Sequence, residues 1–372
     1  MGKIISVFSH KGGVGKTTFV YNLSHELTSR GKSVLLIDTD PQVNLTALLL
    51  GKAESFSYEP LKKGKDRYML EKDIHDKIEE FLEGWAFHFE AYRTFGDHIE
   101  DYVKNLTDND PEFKKKQKPI YKSKFRDLDF GPDLLSGHIN TAIVEHDWHK
   151  IIEQKTQDPR PITFERSIRD LAKEYDFVII DTPPSSTSVL NAICVSCCDY
   201  FLSTVTPNFF SLQSVGNLTN IVQYWSHMLA YYKSEYGKSG LSVKSKFLGI
   251  VINRAKIYNR SGVKTGNNQY TIMAKYWSNI INAKLSDFTS YMYEVKRDFK
   301  DFSKVFKNSE PYIIESTAQF PNRIESLCEN QGIPILMANQ VTEDINKYND
   351  TCDSISLSYK NIADGLIRLL DN

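Results

Sequence analysis

Cysteine is scarce in this sequence, long apolar runs are missing, and the two signs of charge nearly cancel. Five cysteines in 372 residues, an odd number, do not make a disulfide framework and read as thiols of a reduced, cytoplasmic protein. No stretch has the roughly 18 consecutive apolar residues of a membrane-spanning helix, and no leader with a charged start and an apolar middle is present. The 46 basic and 47 acidic residues leave a net charge of −1. No global field therefore draws nucleic acid or membrane, and any such partner must be met by a local patch. With 41% apolar residues, a chain of this length can bury a large core.

What is present centres on Lys11-Gly12-Gly13-Val14-Gly15-Lys16-Thr17-Thr18. The run Lys3-Ile4-Ile5-Ser6-Val7-Phe8 before it reads as a buried strand. After it, Val20, Leu23 and Leu27 fall on one helical face, and Gly31 fits a C-terminal cap. Strand, glycine loop and helix form the setting of a phosphate-binding loop. Glycines let backbone N–H groups close around a phosphate, and the helix N-terminus adds about half a positive charge. Lys16 then stands where an ammonium meets the β- and γ-phosphates, and the Thr17 hydroxyl where Mg²⁺ needs an oxygen. A standard loop would carry glycine five residues before Gly15; here that residue is His10, followed by Lys11.

Two further strands end in carboxylates. Ser33-Val34-Leu35-Leu36-Ile37 is continuously apolar, as in a parallel strand covered on both faces, and delivers Asp38 and Asp40 before Pro41-Gln42-Val43-Asn44. Asp176-Phe177-Val178-Ile179-Ile180-Asp181-Thr182-Pro183-Pro184 does the same with Asp181. In open parallel sheets such strand ends line the ligand crevice. Strands at Tyr200–Val205, Phe247–Ile252 and around Tyr312–Ile314, alternating with helical stretches, predict an α/β fold: a doubly wound, mostly parallel sheet flanked by helices. The tail reads as helix, a short strand Ile333-Pro334-Ile335-Leu336, and a closing helix. Cys194, Cys197 and Cys198 follow Val189-Leu190 in an apparent helix and point to different faces, so they read as small core residues rather than metal ligands.

The eight-residue loop, K-G-G-V-G-K-T-T, resembles the deviant Walker A motif of the ParA/MinD P-loop ATPases, closest to the ParA/Soj-like partition ATPases. The runs D-T-D-P-Q-V-N and F-V-I-I-D-T-P-P resemble that family's other two acidic motifs. The resemblance covers about 1–50 and 128–372, with Leu134-Leu135-Ser136-Gly137-His138 where the chain re-enters the sheet. It implies one P-loop NTPase domain over 1–372, binding ATP through Gly12, Gly13, Val14, Gly15, Lys16, Thr17 and Thr18. It further implies Mg²⁺ held by Thr17 and Asp181 with support from Asp38, and water positioned by Asp40. Lys11, the signature lysine, would reach a partner subunit's phosphates, so that Lys11, Lys16 and Asp40 form the catalytic group of an ATP-dependent homodimer. The family usually has glycine where Val43 stands. Asn253, by itself a common turn former after a strand, would read the base edge in this family, and the loop at Pro321 would cover the base.

Residues 51–127 are an insertion that the resemblance does not explain. Ile74, Ile78, Phe81, Leu82, Trp85, Phe89 and Tyr92 recur at helical steps. Asp97 with Glu100 predicts a capping box opening a second helix through Leu106. Glu71–Glu112 holds 13 acidic and 4 basic residues; Phe113–Arg126 holds seven basic residues, no acidic one and three aromatics. That basic run suits a nucleic-acid backbone, or equally a solvated loop that neutralises its own acidic helices. The expected output is DNA, plasmid or chromosome partitioning through nonspecific DNA binding, with a centromere-binding adaptor as partner and nucleoid association. The alternatives are a regulatory or scaffolding ATPase whose insertion binds a protein partner, and a MinD-like membrane cycle. The last is disfavoured because Asn361–Asn372 has one Arg against two Asp and lacks the basic amphipathic tail that a membrane requires.

Overall fold

The computed structural model describes residues 2–50, 83, 88–108, 118–123, 129–138, 140–155, 158, 160–235, 245–255, 271–294, 312–330, 332–340 and 349–370. The chain opens with β1 (Lys3–Phe8), α1 (Lys16–Ser29), β2 (Val34–Asp38) and α2 (Asn44–Leu50). From the insertion come α3 (Phe95–Asp108) and β3 (Tyr121–Lys122), followed by β4 (Asp133–Leu135), α4 (Thr141–Glu153) and α5 (Arg160–Leu171). Next are β5 (Phe177–Asp181), α6 (Val189–Cys197), β6 (Tyr200–Val205), α7 (Phe209–Gly216) and α8 (Leu218–Glu235). The chain closes with β7 (Lys246–Ala255), α9 (Ile272–Glu294), β8 (Ile313–Ala318), α10 (Asn322–Asn330) and α11 (Asn349–Leu370).

The eight strands form one sheet in the order β3-β4-β2-β5-β1-β6-β7-β8, parallel except for the antiparallel β3–β4 pair at one edge. This is the doubly wound, mostly parallel α/β architecture expected. The central strands are apolar on both faces because both are covered. Ile4 and Phe8 of β1, Leu35 and Ile37 of β2, and Val178 and Ile180 of β5 join a core with α3 to α6, α8 and α9. Ile5, Val7, Leu36 and Ile179 face a second core with α1, α2, α10 and α11. β1 lies between β5 and β6; the chain leaves β1 toward β2 on one side and reaches β6 on the other. That reversal of direction opens the crevice at the carboxyl ends of β1, β2 and β5.

Three local readings change. The helix after Thr94 begins earlier than its sequence signature: the Asp97 N–H donates to Thr94 Oγ1 at 3.1 Å and the Thr94 N–H to Asp97 Oδ2 at 3.1 Å. The reciprocal cap is therefore Thr94–Asp97, not Asp97–Glu100. The stretch expected as strand at Ile333–Leu336 leads into a 3₁₀ turn, Ile335–Gln340. There Pro334 has no N–H for a ladder, the Ile335 N–H is taken by Asn22 Oδ1 at 2.8 Å, and the Met337 N–H returns to Pro334 O at 2.9 Å. Third, the insertion supplies a strand: Tyr121 and Lys122 pair with Leu134 and Asp133. Of its first expected helix, positions 74, 78, 81, 82 and 85 lie outside the described residues. At its end, the rings of His88, Tyr92 and Tyr121 pack together with centroids 5.0–5.3 Å apart, Tyr121 meeting the other two edge-on.

Cys194, Cys197 and Cys198 are all buried, as core residues should be, and no metal-holding group of His, Cys, Asp or Glu occurs among the described residues. Among them also, no helix is long and apolar enough to cross a membrane. The closing helix α11 buries Ile355, Tyr359, Ile362 and Leu366 in the second core.

Candidate nucleotide-binding site

The loop between β1 and α1 takes its shape from glycine. Gly13 and Gly15 have φ of 76° and 77°, a left-handed conformation open to glycine at no steric cost. Gly15 is the N-cap of α1, so the first N–H groups of that helix point into the crevice. A cleft of about 630 Å³ opens over the loop. Gly12 to Thr18 form its floor, Asp40, Gln42 and Asn44 one wall, and Pro184, Arg254 and Glu329 the rest of the rim.

Beneath the cleft, β2 and β5 bring their terminal aspartates level, Asp38 beside Asp181. Asp181 is fully buried; one carboxylate oxygen is paired with the Lys16 ammonium and the other accepts from the Thr17 hydroxyl at 2.8 Å. Thr39 fixes the strand end from the side, its N–H and hydroxyl both donating to Asp181 O at 3.0 and 2.9 Å. Lys16, Thr17 and Asp181 thus meet at one point, as their motifs imply.

Asp40 stands on the cleft wall. Its Oδ1 accepts from the Gln42 N–H at 3.0 Å, and burial raises its carboxyl above the ordinary range, opposed by that N–H and by the Lys16 charge. The turn carrying it contains Val43 at φ 59°. A β-branched residue in the left-handed region is a genuine outlier, and it falls where the resembling family keeps glycine. The turn therefore carries strain of about 1–3 kcal/mol at a residue that does not favour this conformation.

Asp38, expected to support the metal, accepts from groups of its own chain. It is fully buried, and its oxygens are taken by the chain: Oδ2 by the Thr46 N–H at 2.9 Å and hydroxyl at 2.7 Å, Oδ1 by the Asp40 N–H at 3.2 Å. Burial and the neighbouring Asp181 push it up to about 7, against the pull of Thr46. The close approach needs Gly137, where a Cβ would come within 3.0 Å of the carboxyl carbon. Asp38 therefore ties α2 and the 137 turn to the strand end, and it does not line the cleft.

Asn253 and Pro321 are also outside the cleft lining. The Asn253 amide donates to Val14 O at 3.0 Å and Gly15 O at 3.3 Å, and its carbonyl accepts from Thr317 at 3.0 Å. Its polar atoms brace the phosphate loop from below. Pro321 O accepts from the first N–H groups of α10, Ile324 at 2.9 Å and Glu325 at 3.0 Å. The rim residue that sequence reasoning passed over is Arg254, in a left-handed conformation at φ 58° and paired with Glu325 at 2.7 Å; its place directly after Asn253 was the available signal.

Lys11 faces away from this cleft. It lines an adjoining groove of about 590 Å³ with His10, Phe210, Gln213 and Lys284, and its ammonium lies 4.5 Å from the centre of the Phe210 ring. Of the insertion's basic run, Lys114, Lys115, Lys116, Lys124 and Arg126 are outside the described residues. The two that are described have partners: Lys118 reaches Phe89 O at 2.8 Å and Asp97 at 3.4 Å, and Lys122 pairs with Asp133.

A buried lysine under a glycine loop, a threonine hydroxyl and a carboxylate sharing one point, and a wall aspartate are the parts of a nucleoside-triphosphate site. The chain belongs to the AAA_31 family, described as an AAA domain, which matches residues 2–231; within it this is a ParA-type P-loop ATPase. It is 27% identical to the sporulation initiation inhibitor protein Soj of Bacillus subtilis over 224 residues, 60% of this chain and 66% of Soj. The chain spans 52% to 73% of the length of the first curated relatives it matches. Among solved structures it is similar to apo McdA of Cyanothece, with a TM-score of 0.56 at 16% identity over 98% of this chain and 100% of that one. It is also similar to pNOB8 ParA bound to nonspecific DNA, at 0.50 and 19% over 100% and 99%. At these identities the two structures show the fold.

Proposed function

We propose that this chain binds and hydrolyses ATP, pairs with a second copy when ATP is bound, and partitions DNA by holding it nonspecifically. The observation that carries this reading is the meeting of Lys16, Thr17 and Asp181 under the glycine loop, with Asp40 on the adjoining wall. The Thr17 hydroxyl and the Asp181 carboxylate are hard oxygen donors of the kind that suits Mg²⁺, so those two residues would hold it. When bound, the ion neutralises charge on the β- and γ-phosphates. Loop N–H groups cradle the phosphates, and Lys16 turns its ammonium from Asp181 to their charge. The wall carboxylate of Asp40 orients water for in-line attack. Lys11 lies outside the lining of its own cleft, which is compatible with a role at a partner's phosphates. An ammonium supplied in trans acts like the finger residue of related hydrolases, worth roughly 10³–10⁵ in rate.

Nonspecific DNA as the cargo draws support from a ParA whose structure holds nonspecific DNA. The partner-protein reading keeps one observation in its favour, the pairing of Lys118 and Lys122 with groups of their own chain. The test uses Asp40→Ala, which keeps the phosphate cradle and removes the water-orienting group. With ATP and Mg²⁺ it should sediment as a dimer that persists, with turnover lost. That dimer should retain random-sequence duplex on filters with a log–log salt slope of about −0.9 per phosphate neutralised. Rapid turnover would remove Asp40 from the mechanism. A stable dimer that retains no DNA at low salt would move the output to a protein partner.

A further inference from the structure

The pairing of two copies needs the signature lysine to leave whatever holds it in the single chain. That holder is visible. Phe210 opens α7 on a fixed stem: Asn208 caps the helix through the Ser211 N–H at 3.0 Å, the Thr206 N–H is tied to Ser211 Oγ at 3.1 Å, and Ser214 Oγ donates to Phe210 O at 3.0 Å. The side chain on that stem is 58% exposed, although burial of an aromatic ring is strongly favourable. Its ring meets the Phe209 ring edge-on at 6.0 Å, and the charged group over it is the Lys11 ammonium at 4.5 Å. Lys11 makes no ion pair among the described residues, so this ring is its charge-stabilising contact. A cation held over an exposed aromatic face is stabilised by a factor of roughly 2–5, enough to bias the side chain without trapping it.

Resting on the pairing reading above, we propose that Phe210 is a positioning residue for Lys11: it seats the signature ammonium on its own subunit and sets the threshold at which two ATP-bound copies pair. Pairing exchanges one favourable contact of the ammonium, the ring, for a stronger one, a partner's phosphates. Weakening the seat shifts the exchange toward the pair. Phe210 does not line the nucleotide cleft, so ATP affinity of the single chain is independent of it.

The first arm of the test needs no dimer. Full-length chain without nucleotide is trace-acetylated with acetic anhydride, and modification of Lys11 is read by mass spectrometry. Phe210→Leu keeps an apolar cover but no aromatic face, and should raise Lys11 acetylation about 2–5-fold; Phe210→Tyr should leave it at the wild-type level. An unchanged rate in Phe210→Leu overturns the seat. The second arm measures sedimentation with ATP and Mg²⁺. Phe210→Leu should reach half-maximal dimer at a protein concentration lower by about the same factor, and Phe210→Tyr at the wild-type concentration. A threshold that stays or rises in Phe210→Leu overturns its role in pairing. If acetylation responds but wild type never pairs with ATP, the seat stands as a contact, while the pairing reading falls and takes the release step with it.

Discussion

At the scale of single residues the site is built from charges that need one another. Lys16 and Asp181 are 5% and 0% exposed and form one pair. Losing one member of such a pair strands the other in a poorly solvated place, at a cost of about 3–5 kcal/mol. Lys16→Ala should therefore lose nucleotide binding and stability together, since only the Thr17 hydroxyl remains to Asp181. Adding Asp181→Asn removes the stranded charge. The double variant should recover more than half of the lost stability in urea unfolding while fluorescent ATP analogues still fail to bind. A double variant as unstable as the sum of the two singles would contradict the pairing, and micromolar ATP affinity in Lys16→Ala would contradict the assignment of the loop. Val43 shows the opposite economy: a strained single residue holds the Asp40 turn where glycine would do so without strain.

At the scale of elements, the signals readable in sequence were those that are local. The glycine loop between strand and helix, the continuous apolar strands and the aspartates at their ends each need only a few neighbouring residues to declare themselves. The cysteines after Val189 were legible for the same reason. The features that the sequence left hidden depend on partners far along the chain. Asp38 carries a metal-like pattern, but Thr46 and the backbone around Gly137 claim it. The Ile335 N–H goes to Asn22 on α1. Asn253 binds carbonyls more than two hundred residues earlier. That last contact makes a prediction at the level of the loop it braces. Asn253→Ala removes two hydrogen bonds to the Val14 and Gly15 carbonyls, each worth about 1 kcal/mol, so nucleotide affinity should fall by up to about 30-fold. Because the braced loop holds phosphates, ATP and GTP should lose equally in competition binding. A loss confined to ATP would return Asn253 to reading the base.

At the scale of the whole molecule, acid should unfold the chain where the insertion joins the sheet edge. Burial lowers His25 and His88 from 6.5 to about 4, and burial with the Arg93 charge lowers His98 to about 3. Each is neutral in the folded chain and takes a proton in the unfolded chain below 6.5. Its stabilisation is therefore present above that pH and lost as pH falls toward 4. Asp38 runs the other way. Raised to about 7, it keeps a proton in the folded chain that the unfolded chain gives up, so its contribution is present below about 4 and lost as pH rises through 7. Asp40, Glu315 and Glu329 are also raised by burial, by less than Asp38, and act with it. The large downward shifts of the three histidines should outweigh them between 6.5 and 4, so that stability falls with acidification. Two of the three histidines sit at the joint: His88 packs edge-on against Tyr121 of β3, and His98 accepts from Arg93 at the start of α3. Urea unfolding of the nucleotide-free chain at several pH values between 7 and 4.5 measures the slope. His98→Gln should flatten it, because one group that takes a proton only on unfolding is gone. Asp38→Asn should steepen it, because the opposing carboxyl with the largest upward shift is removed. A His98→Gln curve parallel to wild type would place the acid sensitivity elsewhere in the chain.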